Sequence, residues 1–250
     1  MFFLYTLFAL AIITAAICIA PPKAKAWCAL TFIVGAGAAL SVKAVEALAG
    51  GRTVALWAAR SLALGCDSGS LDPLSAFFVL LIAVGATAAT LYSRGYLSHA
   101  LERKSPAHLS LHYVALAVMS LSMLGVVVSD GGYSFLFFWE LMTVASFLLI
   151  LFDAERREVR RAALAYLIMM HIGFVLLVIG FVRLRLATGS ASFAALTPYF
   201  ADHAFLPLFL VFLAGFGMKA GLFPMHVWLP EAHPAAPSHV SALMSGVMIK

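Results

Sequence analysis

The stretch Phe216–Lys250, FGMKAGLFPMHVWLPEAHPAAPSHVSALMSGVMIK, places a lysine inside an apolar run and then alternates prolines with histidines. Glycines on both sides of Lys219 loosen any helix around it, and Pro224 removes a backbone donor. Irregular backbone at membrane depth persists only where it is buried in protein or lines water. The stretch therefore predicts a membrane helix that is broken beside a functional lysine. The alternative is an interfacial lysine that snorkels outward.

The composition of the whole chain indicates a membrane protein. Of its 250 residues 64% are hydrophobic and 11% are charged, which no soluble domain of this length requires. The net charge of +5 does not predict nucleic-acid binding, because the basic residues lie in short gaps between apolar runs. With about 20 apolar residues needed per span, we expect an all-α polytopic protein of about eight transmembrane helices. The expected spans are 2–20, 27–49, 72–92, 110–129, 133–152, 162–184, 204–223 and one that begins near Ser238.

The distribution of lysine and arginine between alternate loops predicts the orientation. One side receives nine basic residues: Lys23, Lys25, Arg94, Arg103, Lys104, Arg156, Arg157, Arg160 and Arg161. The other side receives four: Arg52, Arg60, Arg183 and Arg185. The richer side belongs in the cytoplasm, which places the N-terminus outside. The segment Val54–Gly65 is too short to span, and we expect it to form an interfacial helix.

Motifs for redox cofactors and metals are lacking in the sequence. Cys18, Cys28 and Cys66 show no CxxC spacing, and no glycine-rich phosphate loop follows a strand. We therefore predict no bound cofactor, no metal site and no redox chemistry of the chain's own.

Ionisable residues inside the predicted spans are the candidate functional residues, because a charge in the bilayer core costs at least ~2.5–3.5 kcal/mol. Glu140 lies within an apolar helix, where the alternative role is a structural hydrogen bond. Contact between Glu140 and Lys219 would let a movement of the glutamate control the lysine's proton. Lys250 would lie near mid-membrane if its helix continues, and would be a frayed end if the chain stops there.

Four histidines could extend a proton path. His171 lies in mid-span, where a packing role is the alternative. His226, His233 and His239 alternate with prolines after Lys219, which disfavours a metal site and favours a hydrated turn with titratable groups at the cytoplasmic mouth.

Three motifs resemble one known family. The motifs are LDPLSAFF (71–78) with LYSRGYL (91–97), FFWELM (137–142) and the last 35 residues. They look like the antiporter-like, proton-translocating membrane subunits of complex I, Mrp antiporters and membrane-bound hydrogenases. The residues of these motifs are most similar to those of the hydrogenase-4 component B and formate hydrogenlyase membrane subunits. The resemblance implies that Glu140, Lys219 and Lys250 are the family's charged residues of the fifth, seventh and eighth helices. Ser245 stands where L-like and Mrp A-type members carry a histidine.

The resemblance also implies an architecture and a function. Residues 1–107 would form helices 1–3 with an interfacial segment. Residues 108–250 would form the first five-helix unit of an inverted repeat. This unit would be cut inside helix 8, so the chain looks truncated. The expected function is proton translocation in a multisubunit complex of the inner or plasma membrane, beside other membrane subunits and a cytoplasmic redox arm. The alternatives are an Mrp-like cation/proton antiporter subunit and a non-conducting anchor or truncated remnant.

Overall fold

The chain folds into a bundle of apolar helices interrupted by a β-hairpin, as a computed structural model describes it for residues 2–61, 65–99, 103–202 and 204–249. The helices are α1 (Phe2–Ile19), α2 (Lys25–Gly50), α3 (Pro73–Tyr96), α4 (Pro106–Val128), α5 (Gly132–Ile150), α6 (Arg157–Thr188), α7 (Leu196–Asp202), α8 (Phe205–Ala220), α9 (Leu229–Ala235) and α10 (Ser238–Leu243). The strands are β1 (Val54–Ser61) and β2 (Gly65–Leu71), and a π-helical turn, Met244–Met248, continues α10.

Five of the described helices, α2 to α6, are long and apolar enough to cross a membrane. Two shorter apolar helices, Tyr5–Ile19 and Phe205–Ala220, lie where the sequence predicts the first and seventh spans. The structure thus confirms the prediction of a polytopic α-helical membrane protein.

Helix starts follow from local capping chemistry. The side chain of Asp72 accepts a hydrogen bond from the backbone N–H of Ser75 (2.7 Å), and Pro73 occupies the first turn of α3. The side chain of Ser105 accepts a hydrogen bond from the backbone N–H of His108 (3.2 Å) and caps α4 in the same way, and Pro106 occupies the first turn of that helix. Both caps satisfy amides that a helix leaves unpaired at its start.

The connection after α2 differs from the sequence-based expectation. The interfacial helix expected over Val54–Gly65 is wrong, because the described part of this segment, Val54–Ser61, forms β1 and pairs antiparallel with β2. The apolar run alone does not distinguish a short helix from a strand. The segment becomes a strand because it pairs with β2, whose sequence GCDSGSL is polar. A Cβ at Gly69 would overlap the indole ring of Trp57, so the close approach of β1 and β2 requires glycine at this position.

Small residues set how closely the helices pack around the later site. A Cβ on Gly173 of α6 would lie 3.0 Å from the carbonyl oxygen of Gly215 of α8, so the two backbones meet at these glycines. Such contacts are typical of membrane helix pairs. At the far end of the same helices Phe181, Tyr199 and Leu208 form an aromatic-rich cluster that fixes α7 and α8 against α6.

The predicted break in the seventh span is confirmed. The span ends at Ala220, three residues before the predicted limit, because Gly221 adopts a left-handed conformation (φ 70°) and its N–H returns to Gly217 O. The buried Trp228 then donates its indole N–H to Met218 O (2.9 Å) and ties the following loop to the end of α8.

Candidate functional site

Lys219 lies in the last turn of α8 and is 3% exposed, so its ammonium group is removed from solvent. Its Nζ donates to Thr143 Oγ1 (3.0 Å) on α5 and to Tyr166 OH (3.4 Å) on α6. The rings of Trp139 and Tyr166 lie 5.4 and 5.8 Å from the same nitrogen, within cation–π range. The lysine is thus held by neutral oxygens and aromatic faces.

A polar ladder on α5 and α6 supports these acceptors. Tyr166 OH and Ser146 Oγ are 2.6 Å apart, and both groups are buried. Thr143 donates to Trp139 O and Ser146 donates to Met142 O, which leaves the threonine oxygen available to the lysine. Sequence reasoning missed these residues. The available signal was the three-residue spacing of Glu140, Thr143 and Ser146, which makes each a neighbour of the next on the surface of α5.

Glu140 bonds His171, which packs beside it from α6. Glu140 Oε1 lies 2.9 Å from His171 Nε2, and His171 Nδ1 lies 3.0 Å from Leu167 O. A carbonyl oxygen can only accept, so Nδ1 carries a hydrogen in this geometry. A second proton then lies between Nε2 and the carboxylate. On Nε2 it gives an imidazolium–carboxylate pair, and on the carboxylate it gives a neutral pair. Two neighbouring helices thus share a one-proton site at membrane depth.

Glu140 and Lys219 do not form a direct ion pair among the described residues, because no Glu140 oxygen lies within 4.0 Å of the lysine nitrogen. Glu140 lies one turn before Thr143, the residue that accepts from Lys219 Nζ, so both charged groups belong to the same region of the bundle. Glu140 Oε2 is buried without a hydrogen-bond partner in the described part of the chain, so the carboxylate keeps one oxygen free. The proton on Lys219 is held by a balance between the cost of a buried ammonium and the attraction of this carboxylate.

A cavity of about 310 Å³ opens beside Lys219. Apolar side chains from α3, α4, α5 and α8 line most of it, among them Phe78, Met123 and Phe216. Val247 and Met248 of the π-helical turn form another part of its lining. The cavity therefore connects the lysine at the helix break with the helix that follows that break.

The three predicted histidines after Lys219 have partners of their own. His233 Nδ1 is 2.9 Å from Ser241 Oγ, and the His226 ring packs 5.7 Å from that of Phe223. His239 Nε2 lies 2.9 Å from the Nε2 of His112, a residue that sequence reasoning missed. Lys250 lies outside the described residues. Within the described ranges, no three His, Cys, Asp or Glu side chains come together as a metal site.

Comparison with known proteins identifies relatives of this arrangement. Residues 130–250 match the family described as "NADH:quinone oxidoreductase/Mrp antiporter, TM". Hydrogenase-4 component B of Escherichia coli (strain K12) is 38% identical over 185 residues, a match that covers 72% of this chain and 26% of that protein. The chain spans about a quarter of the length of the curated relatives it matches.

Two solved structures share the fold. One is the membrane-bound sulfane sulfur reductase, an archaeal respiratory membrane complex: it matches with a TM-score of 0.82 and 18% identity, over 98% of this chain and 49% of that one. The Mrp complex from Dietzia sp. DQ12-45-1b matches with a TM-score of 0.80 and 19% identity, over 98% of this chain and 45% of that one. Both likenesses concern the fold alone, and they confirm the predicted fold class.

Proposed function

We propose that this chain, whose residues 130–250 match the NADH:quinone oxidoreductase/Mrp antiporter membrane family, is a proton-translocating subunit of a multisubunit complex. The complex would be of hydrogenase-4, formate hydrogenlyase or NADH:quinone oxidoreductase type, in the inner or plasma membrane. Its cytoplasmic redox arm would perform the electron transfer. Residues 1–107 would provide the N-terminal helices, and residues 108–250 the first proton-translocating unit.

The observation that carries the proposal is the buried Lys219 at a helix break, with the carboxylate of Glu140 one turn from the threonine that bonds it. Glu140 now bonds His171 through Oε1 and keeps Oε2 free. If the carboxylate approached Lys219 to ~4 Å, the attraction at an effective dielectric of 20 would be about 4 kcal/mol. That energy changes a protonation equilibrium by roughly three powers of ten.

The proposed cycle follows from this exchange. With Glu140 near Lys219, the ammonium is stabilised and the lysine holds a proton. When a partner subunit's movement returns the carboxylate to His171, the buried ammonium loses its counter-charge and releases the proton into the cavity. Lys250, which the sequence assigns to the predicted eighth span, would receive it. His226, His233 and His239 would supply protons from the cytoplasmic side, where the charge count places them.

The test is proton movement by the assembled complex in native membrane vesicles. We expect Glu140→Gln and Lys219→Ala each to slow proton movement by on the order of 100-fold, because each removes a proton-transfer group. Glu46→Gln is the matched control, since Glu46 is a half-exposed carboxylate that pairs with Lys43 and Arg52 near the end of α2. Full proton movement in both site variants, with the complex assembled, would refute the relay and favour a non-conducting anchor.

A second candidate function is cation/proton exchange of the Mrp type, because the family description names Mrp antiporters as well. Replacing sodium with choline in the same vesicles separates the two. Proton translocation without exchange continues in choline, whereas an exchanger stops.

A further inference from the structure

A buried histidine pair joins α4 to α10 outside the Lys219 site. His112 is 3% exposed and His239 is 2% exposed, and their Nε2 atoms lie 2.9 Å apart. Neither Nδ1 has a hydrogen-bond partner in the described part of the chain. Histidine pairs that only pin two helices do not require both outer nitrogens to be open, so this arrangement calls for a reason.

The chemistry of the contact defines its protonation. A hydrogen bond between two Nε2 atoms needs one nitrogen with a hydrogen and one without. The pair therefore carries one hydrogen between the rings, and the acceptor ring must hold its own hydrogen on Nδ1 if both rings are neutral. Two imidazolium rings cannot share this contact, because neither would offer an acceptor.

The surroundings place the pair on a route from the membrane surface. His108 lies one turn before His112, and both rings pack on Phe152, at 5.0 and 4.9 Å. His108 Nε2 also bonds Phe152 O (2.8 Å), and Lys104 Nζ donates a hydrogen bond to the same oxygen (3.4 Å). Charged residues at this end include Lys104, which pairs with Asp153 and Glu155, and the charge count assigns the end to the cytoplasm.

The other side of the pair leads towards the candidate site. His239 lies in α10, which runs directly into the π-helical turn Met244–Met248. Val247 and Met248 of that turn line the cavity that holds Lys219. Two further titratable side chains that pack on the pair are Tyr96, whose ring lies 5.5 Å from that of His239, and Tyr113, whose ring lies 5.4 Å from that of His112.

We propose that His112 and His239 form a one-proton transfer site that admits protons from the cytoplasmic side to the cavity of Lys219. This inference rests on the proposed function and adds His112, which is outside the Glu140–Lys219 site. A proton binds His112 Nδ1, the hydrogen on His112 Nε2 passes to His239 Nε2, and the hydrogen on His239 Nδ1 leaves. The hydrogen bond is then reversed, so both rings exchange tautomers before the next proton follows.

The pair itself can be tested without transport. The full-length native chain, with ¹⁵N-labelled imidazoles in lipid nanodiscs, should show one protonated and one bare Nε2 coupled through a hydrogen bond. The coupling should disappear in His112→Gln and in His239→Gln. Two bare Nε2 atoms without coupling in the unaltered chain would overturn the inference.

Transport then separates a relay from a structural pin. In the double variant His112→Gln/His239→Gln the two amides can still donate to one another across α4 and α10, but neither titrates. We expect proton movement by the assembled complex to fall about tenfold or more. His99→Gln, an exposed histidine on the same side, should leave it unchanged.

Each remaining outcome is decisive. A double variant that keeps the full rate would overturn the relay, and loss of that rate in His239→Ala would then assign the pair a structural role. A native complex that couples the two imidazoles but moves no proton would refute the proposed function, and the relay with it, while the shared hydrogen would stand.

Discussion

At the scale of single residues, the site is defined by what does not touch Lys219. Its nitrogen contacts a threonine, a tyrosine and two aromatic faces, whereas the carboxylate beside it bonds His171. A permanent ion pair would hold the lysine's proton in one state. Neutral partners satisfy the donors without fixing the charge, so the lysine can respond to a carboxylate that moves.

Thr143 tests the role of these neutral partners. Thr143→Val keeps the side chain's shape but removes the acceptor that lies 3.0 Å from Lys219 Nζ. A donor left unsatisfied in a buried site costs about 1–3 kcal/mol, so we expect proton movement to slow by about tenfold or more. The measurement is the rate in vesicles that carry the assembled complex.

Thr90→Val is the matched control for this change. Thr90 is a buried threonine whose hydroxyl bonds Ala86 O within α3, away from Lys219. Equal rates in the two valine variants would contradict a role for Thr143 in holding the lysine.

Sequence reasoning reached the charged residues but not their partners. Glu140, Lys219 and His171 stand out because a charge or an imidazole is costly in an apolar helix. Hydroxyl groups such as those of Thr143 and Ser146 are common in helices and can bond their own backbone, so they give little signal. The Glu140–His171 contact depends on how α5 packs against α6, which a single sequence does not specify.

At the scale of elements, the hairpin of β1 and β2 is attached to the bundle through Asp67. Its carboxylate accepts hydrogen bonds from Ser134 N–H (2.9 Å) and Ser134 Oγ (3.0 Å) in the first turn of α5. Asp130, just before that helix, accepts from Ser70 Oγ (2.7 Å). These long-range bonds explain why a segment predicted as an interfacial helix becomes a strand: the contacts join residues about 60 positions apart.

Replacing Asp67 should loosen the hairpin. Asp67→Ala leaves the first-turn amide of Ser134 without its side-chain acceptor, a loss of about 1 kcal/mol. We therefore expect amide hydrogen exchange in β2 to accelerate about fivefold. Asp202→Ala, at an exposed carboxylate of α7, is the control and should leave that exchange unchanged.

The same carboxylate predicts how hairpin opening depends on pH. Burial raises the pKa of Asp67 above its ordinary value of 3.8, against the opposing effect of the Ser134 hydrogen bonds. The state in which the hairpin is bonded to α5 then binds a proton more tightly than the state in which the hairpin is detached. The stabilisation from protonation is complete below the ordinary pKa and is lost as the pH rises through the raised value. Exchange in β2, corrected for its intrinsic rate, should accelerate across that interval, and Asp67→Asn should remove the dependence.

The helices themselves were largely predictable. Apolar runs bounded by charges and helix breakers gave the spans, since the bilayer sets their length and a glycine or proline ends them. The hairpin was not predictable in this way, because β2 is a polar strand without alternation and forms only through its partner.

At the scale of the whole molecule, one helix face is incompletely covered. His171 is 47% exposed although it bonds Glu140 in the middle of a membrane helix, and Ile168, Ile172 and Val175 on the same face are exposed as well. Apolar side chains can face lipid, but a proton-sharing His–Glu pair in contact with lipid is costly. In the proposed complex, a neighbouring membrane subunit is the expected cover of this face.

A cysteine cross-linking experiment tests this expectation. Ile172→Cys, one residue after His171, should cross-link to a second membrane polypeptide of the native complex when a short thiol-reactive cross-linker is added. Val84→Cys, at a 71% exposed position of α3, is the control and should react with a lipid-soluble maleimide instead. Equal lipid labelling of the two cysteines, with no cross-linked product, would show that lipid covers the His171 face. The one-proton site of Glu140 and His171 would then be open to the bilayer, and a partner's movement could not be what displaces the glutamate.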